Sequence, residues 1–323
     1  MTAPEQRGPA PEGPGALGRP AVSVVVCTRD GAGRIGPTIG SVRAALDDAA
    51  AHGVPGELVL VDSASADGTR AVLEDAAARD PRVRVVAVAE PGLGRARNAG
   101  ARAAAGRAVL FTDDDVRVPP HWVRTLGAPL LAGEADLVSG AVALAPALRP
   151  AWLTPDIAAD FYAYVPEPPV AGREFVGANM GAAARVLAAV PFDEALGTAA
   201  LPGGDDTGFR GDVLAAGFRE RAVPGAQVEH HFDPDRLRAP RLLALARGYG
   251  RSEAWLAHRH RGERPATLVP LGKALVRGAQ AHLRRLRRPG SPPDMPTLRF
   301  AGQAAYHRQM FALRLRDGRA RAT

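Results

Sequence analysis

Cysteine occurs once in this chain, lysine once, and aromatic side chains make up only 5% of it. The lone Cys27 rules out an internal disulfide and any cysteine-built zinc site. It ends an apolar run and reads as a small core residue. No apolar run approaches the roughly 18 residues that would span a bilayer. Residues 1–20 hold no hydrophobic segment of the kind that directs secretion, and their Pro, Gly and Ala content reads as a disordered leader. A cytoplasmic chain is expected.

With Lys273 as the only lysine, arginine carries the positive charge, and it carries it unevenly. Residues 234–323 hold 20 basic and 5 acidic side chains, against 21 and 29 in the rest. A basic tail on an acidic body suggests a negatively charged partner, or else an arginine face left in water. The arginines have no interleaved aromatics, which argues against a base-stacking platform, and no nucleic-acid partner is expected. From about residue 267 to 288, helical spacing can gather Leu268, Leu271, Leu275, Val276, Leu283 and Leu286 on one side, with arginines at the edge. Such a helix either packs on the body or lies on an anionic membrane, which would put the protein peripherally at the inner membrane face.

The strongest local signal is Phe111-Thr112-Asp113-Asp114-Asp115-Val116, a strand-length apolar run ending in three carboxylates. Adjacent acids repel unless a cation sits among them, and Mg²⁺ takes one or two carboxylates plus substrate phosphates. A solvated turn or a helix cap before Pro119-Pro120 is the plainer alternative. Around this run, apolar β-branched stretches alternate with helical ones. Strands are expected at 22–27, 58–61 and 83–88, and helices at about 36–51, 69–79 and 119–131. A further strand is expected near 137–143. The alternation indicates an α/β fold with a mainly parallel sheet and helices on both faces, the polar strand ends collecting on one edge. Gly92-Leu93-Gly94 resembles a dinucleotide-binding turn, but Arg97 replaces the third glycine and the motif does not follow the first strand. Residues 145–172 are Pro-rich with scattered aromatics. A Gly-loosened loop, Pro202 to Thr207, opens a helix to about Ala216.

Taken in order, the residues resemble a known family. These are Val22 to Asp30, Val61-Asp62 with Ser65 and Asp67-Gly68-Thr69, Gly92-Leu93 with Ala96-Arg97-Asn98 and Gly100, the acidic triplet, Gly177-Ala178-Asn179-Met180, Gly204-Asp205-Asp206-Thr207 and Val228-Glu229-His230. The set is similar to the family 2 glycosyltransferases, which have the GT-A (Rossmann-like) fold. The resemblance covers roughly residues 20–235 and fades by about Ala254. It implies a glycosyltransferase domain over 21–235, with a nucleotide-sugar half to about 116 and an acceptor half from 117. A helical, Arg-rich extension over 236–323 follows.

The resemblance also implies roles. Thr28, Arg29 and Asp30 would line the nucleotide pocket, Asp62 would meet the base or ribose, and Arg97 and Asn98 would border the phosphates. Asp113 and Asp115 fit an Asp-x-Asp motif in which the last acid binds Mg²⁺ or Mn²⁺, although Asp114 leaves the register open by one residue. Asp206 matches the general base, with Asp205, where the family often has Glu, as the alternative. His230, or else His231, would help hold metal or diphosphate. Asn179 and Trp152 are assigned to the acceptor side, and Tyr249 to Ser252 would extend it. Asp67 is equally explained as a turn-and-cap residue before the Thr69 helix. The implied reaction is metal-dependent, inverting transfer from a UDP-, GDP- or dTDP-sugar to a hydroxyl or amine. A sugar-nucleotide-forming enzyme would need a Gly-rich, Arg-containing loop after the first strand, which Thr28 to Arg34 matches only faintly.

Overall fold

The computed structural model describes residues 19–166, 175–263 and 268–320. The proposed leader, up to residue 18, and the Thr267 start of the amphipathic stretch lie outside the described residues. Four parallel strands open the chain: β1 (Val22–Thr28), β2 (Gly56–Ser63), β3 (Val83–Val88) and β4 (Ala108–Asp113). They are joined by α1 (Ile35–Ala51), α2 (Thr69–Arg79) and α3 (Leu93–Ala103). The expected alternation is therefore present.

After β4 the chain forms a two-residue strand β5 (Val116–Arg117), helix α4 (Trp122–Leu131), and strands β6 (Leu137–Ser139) and β7 (Val142–Leu144). Helix α5 (Pro155–Tyr162) sits in the Pro-rich segment, where no helix was expected. Its signal is local: Thr154 caps the Ile157 amide and Pro155 opens the first turn. Then come β8 (Asn179–Ala183), α6 (Ala184–Ala189), α7 (Asp205–Ala215), β9 (Glu220–Ala222) and β10 (Val228–His230). Three helices end the described chain: α8 (Ala239–Arg259), α9 (Leu268–Arg287) and α10 (Met295–Ala320).

The main sheet runs β3-β2-β1-β4-β8-β6-β9, parallel except where β8 lies antiparallel between β4 and β6. Both faces are covered. Val22, Val24 and Val26 pack with α1 and α4 through Leu46 and Trp122. Val25 and Phe111 pack on the other face with Ala96, Phe192 and Phe209. This two-sided burial explains why β1 and β2 read as unbroken apolar runs. A smaller sheet, β5-β10-β7, stands beside the acidic end of β4. A further apolar cluster joins α5 to α8 and α10 through Phe161, Tyr162, Phe232, Leu242 and Leu298. Among the described residues no helix is long and apolar enough to cross a membrane.

Candidate functional site

Strand register brings the polar ends to one edge. Thr28 stands opposite Asp62, and Cys27 opposite Asp113. Behind that edge lies a cleft of about 660 Å³. Asp113, Asp115, Asp205, Asp206, Arg97 and His230 all line it, with α8 and α10 supplying the far wall through Tyr249, Leu298 and Arg299.

The acidic triplet divides by direction. Asp113 and Asp115 face the cleft, whereas Asp114 turns away to accept from the Thr28 hydroxyl and from Arg34 Nε at 3.1 Å. The Asp114 carbonyl is also held, by Thr38 Oγ1 at 2.8 Å. Asp113 is the last residue of β4, and Asp114 and Asp115 form the turn into β5, so the turn sends Asp114 away from the side that Asp113 and Asp115 share.

His230 is brought to Asp115 by the small sheet. Val116 pairs with His230 across the β5–β10 ladder, and the next amide, that of His231, donates to the Asp115 carbonyl at 2.7 Å. His230 is buried. Its Nδ1 donates to the Tyr162 carbonyl at 2.8 Å, so Nε2 is the atom turned to Asp115 Oδ1, 3.1 Å away. Burial opposes the charged imidazole, but the Asp115 carboxylate outweighs it and raises the His230 pKa. Burial likewise opposes ionised Asp115, and His230 outweighs it to hold that carboxyl below the ordinary range. His231 instead pairs with Glu229 at 2.6 Å and does not line the cleft.

Arg97 crosses the floor. It is buried, bonds Asp205 directly and lies 3.2 Å from Asp113. Gly177 covers its guanidinium so closely that a β-carbon there would overlap it, which is why no side chain fits at 177. Burial pushes the Asp205 carboxyl up to about 6 despite Arg97, with Asp206 adding to the rise. Burial also raises Asp113 against the pull of Arg97. Removing one partner of such a buried pair typically costs about 3–5 kcal/mol.

Asp205 and Asp206 open α7 directly after Gly203 and Gly204, both in the left-handed region at φ 79° and 80°. A β-carbon at 203 would stand 2.8 Å from the Tyr249 ring. Asp206 accepts from the Gly177 and Thr207 amides, each at 2.7 Å. It therefore tethers the end of the β4–β8 pair to the first turn of α7.

Several expected site residues have other work. Asn179 is fully buried; it accepts from Trp122 Nε1 at 2.9 Å and donates to the Ala141 and Ala226 carbonyls. Trp152 packs on the α5–α8 cluster and does not line the cleft. The Asn179 assignment to an acceptor surface is therefore corrected, since its polar atoms are spent inside the fold; Trp152 is half-buried and stands outside the cleft lining. Asn98 clamps the 192–194 segment through the Phe192 amide and carbonyl and through Glu194, outside the cleft. Asp30 accepts from the Ala66 amide at 2.8 Å, and Asp62 from that of Ser65 at 3.1 Å. Asp67 caps Thr69, its turn-and-cap reading, and also accepts from Ala32. These bonds knit the turns after β1 and β2 together. Thr28 and Arg29 line a separate hollow of about 120 Å³ with Ser63 and Gly92. Burial pushes the Cys27 thiol there to about 12, so it stays protonated.

Arg236 was missed in the sequence. It lies 3.8 Å from Asp115 and over the rings of Phe232 and Tyr162. One arginine among twenty basic residues carries no local mark, and only the fold singles it out.

A divalent cation fits this donor set. Among the described residues no three His, Cys, Asp or Glu side chains hold an ion by themselves. Asp113 and Asp115 at one wall, with His230 Nε2 beside Asp115, suit an open site whose remaining ligands come from substrate phosphates.

A family model described as glycosyl transferase family 2 matches residues 23–162. The succinoglycan biosynthesis protein ExoO of Rhizobium meliloti (strain 1021) is 39% identical over 128 residues, 37% of this chain. That stretch is 34% of the relative, so the chain spans about a third of its length. A mannosyltransferase of Pyrobaculum calidifontis, solved with GDP-Man and Mn²⁺, is similar in fold. It has a TM-score of 0.55 at 19% identity, over 93% of this chain and 88% of that one. Glucosyl-3-phosphoglycerate synthase of Mycobacterium tuberculosis, solved with Mn²⁺, uridine diphosphate and phosphoglyceric acid, has a TM-score of 0.50 at 24% identity. There the match covers 75% of this chain and 78% of that one. The order of the sheet and these shared folds show the GT-A fold, and over residues 23–162 the chain matches the glycosyl transferase family 2 model.

Proposed function

We propose that this chain transfers a sugar from a nucleoside diphosphate donor to a hydroxyl or amine, with inversion at the anomeric carbon and with Mg²⁺ or Mn²⁺ at the donor. One observation carries the reading: Asp113 and Asp115 at the end of β4 share a cleft with Asp205 and Asp206 at the start of α7. Asp113, Asp115 and His230 would hold the cation, whose part is to neutralise the departing diphosphate. The donor half, residues 21–116, supplies the nucleotide side. Residues 117–235 and the helices beyond supply the acceptor side. The solved mannosyltransferase with GDP-Man and Mn²⁺ supports a nucleotide-sugar donor.

Asp205 is committed to Arg97, and this leaves Asp206 to act as base. The acceptor oxygen forms a bond to the anomeric carbon, the bond from that carbon to the diphosphate breaks, and the acceptor proton passes to Asp206. Arg97 fixes Asp205 and Asp113 on either side, so the charge pattern is set before substrate arrives.

The test combines binding and turnover. Calorimetry with UDP, GDP and dTDP should find a nucleotide that binds only with Mn²⁺ or Mg²⁺. Asp206→Asn should keep that affinity and lower turnover by roughly 10²–10⁴-fold. If Asp205→Asn is the inactive variant and Asp206→Asn remains active, the base is misassigned. If no nucleotide binds with either metal, the donor reading fails.

A further inference from the structure

Helix α9 carries an apolar surface that nothing among the described residues covers. Leu268 is 73% exposed, Leu275 69%, Leu286 63%, Val276 57% and Leu283 52%. At 100° per residue these five fall on one side of the helix. Its buried positions, Pro270, Ala274 and Ala281, fall on the opposite side, where α9 packs on α10. The helix is thus apolar away from the protein, the reverse of an ordinary surface helix, which puts its polar face in water.

Its charge is equally one-sided. Leu268–Arg287 contains no acidic residue. Asp294 pairs with Arg284 at 2.7 Å and with Arg288 at 3.4 Å. Among the described residues, Lys273, Arg285 and Arg287 have no carboxylate partner, while Arg277 lies on the packed side, over the Phe300 ring of α10. An exposed leucine face flanked by uncompensated cations, on a helix about 30 Å long, is complementary to a surface that is apolar within and anionic outside.

We propose that α9 docks the protein on an anionic bilayer, its leucine face among the acyl chains near the headgroups and its cations on headgroup phosphates. Helix α10, against which α9 packs, also presents Leu298 and Arg299 to the cleft. Docking therefore holds the helical wall of the cleft at the membrane surface. A second copy of the chain, meeting α9 face to face, would bring its cations against those of its twin, so charge disfavours that occupant.

The experiment is vesicle flotation of the full chain, read without any turnover, so its outcome is independent of the transfer reaction. Phosphatidylcholine vesicles containing phosphatidylglycerol should carry the protein up the gradient, pure phosphatidylcholine vesicles should carry little, and added salt should release it. Leu275→Glu with Leu286→Glu should lower the bound fraction about tenfold or more, at unchanged circular dichroism. Arg285→Gln with Arg287→Gln should weaken binding by roughly fivefold per charge while sparing the leucine face. Equal flotation with both vesicles, or none with either, overturns the proposal. So does light scattering that shows a dimer which Leu275→Glu with Leu286→Glu turns into a monomer.

Discussion

Asn179 shows how one residue can be misread from its neighbours in sequence. It follows Gly177 and Ala178, which do border the cleft, yet its side chain points into the core. There it satisfies the Trp122 indole and the Ala226 carbonyl, and it gives a second donor to the Ala141 carbonyl, which the Val228 amide also serves. Asn179→Ala should destabilise the fold by about 2 kcal/mol or more, since it orphans two buried groups at about 1–3 kcal/mol each. Urea unfolding measures this. The acceptor KM should barely move in the variant that remains folded, whereas an acceptor contact would raise it. Arg97 and Asp205 illustrate the opposite economy: both are buried, and each is tolerable only because the other is present.

At the scale of elements, the junction between α9 and α10 rests on Asp294. Its carboxylate caps the Thr297 amide at 3.0 Å and pairs with Arg284. Burial alone would raise its pKa, but Arg284 and Thr297 outweigh burial and lower it to about 2. A depressed carboxylate pKa contributes stability above the ordinary value of 3.8, and that contribution is lost as pH falls through about 2. Asp294→Ala should therefore cost about 1–2 kcal/mol at neutral pH. Thermal melts of the two proteins should differ by a constant amount above about pH 4 and converge toward pH 2. A difference independent of pH would mean that the carboxylate charge is not what holds the junction. Helix α5 makes a related point. The Thr154-Pro155 start signal was present in the sequence but hidden by the many prolines around it.

For the whole molecule, the basic C-terminal stretch is structural as well as charged. Leu298 packs with Leu242 and Ala246, and Met310 and Leu313 pack with Ala254. Ending the chain after residue 263 removes Leu298, Met310 and Leu313, each worth about 1.5–3 kcal/mol of burial. The sum approaches the entire stability of an ordinary domain. The shortened chain should self-associate on size exclusion and show no folded transition at the temperature of the full chain. A monomeric, equally stable product would mean that the tail is a detachable appendage.

The α/β class, the order of the first four strands and the place of the acids at strand ends were all legible in the sequence. Each depends on local signals, namely unbroken β-branched runs, turn residues and helical spacing, and these act within a few residues. The family resemblance rested on the same short segments. Choosing between Asp113 and Asp114, or between His230 and His231, was not open to such reading. Those choices depend on β10 pairing with β5 across more than a hundred residues and on α7 delivering its acids to Arg97. Each pair has identical chemistry and straddles the end of a strand, where the chain leaves β4 or β10 and sends the two side chains different ways. Only the packing of distant elements decides which direction is the cleft.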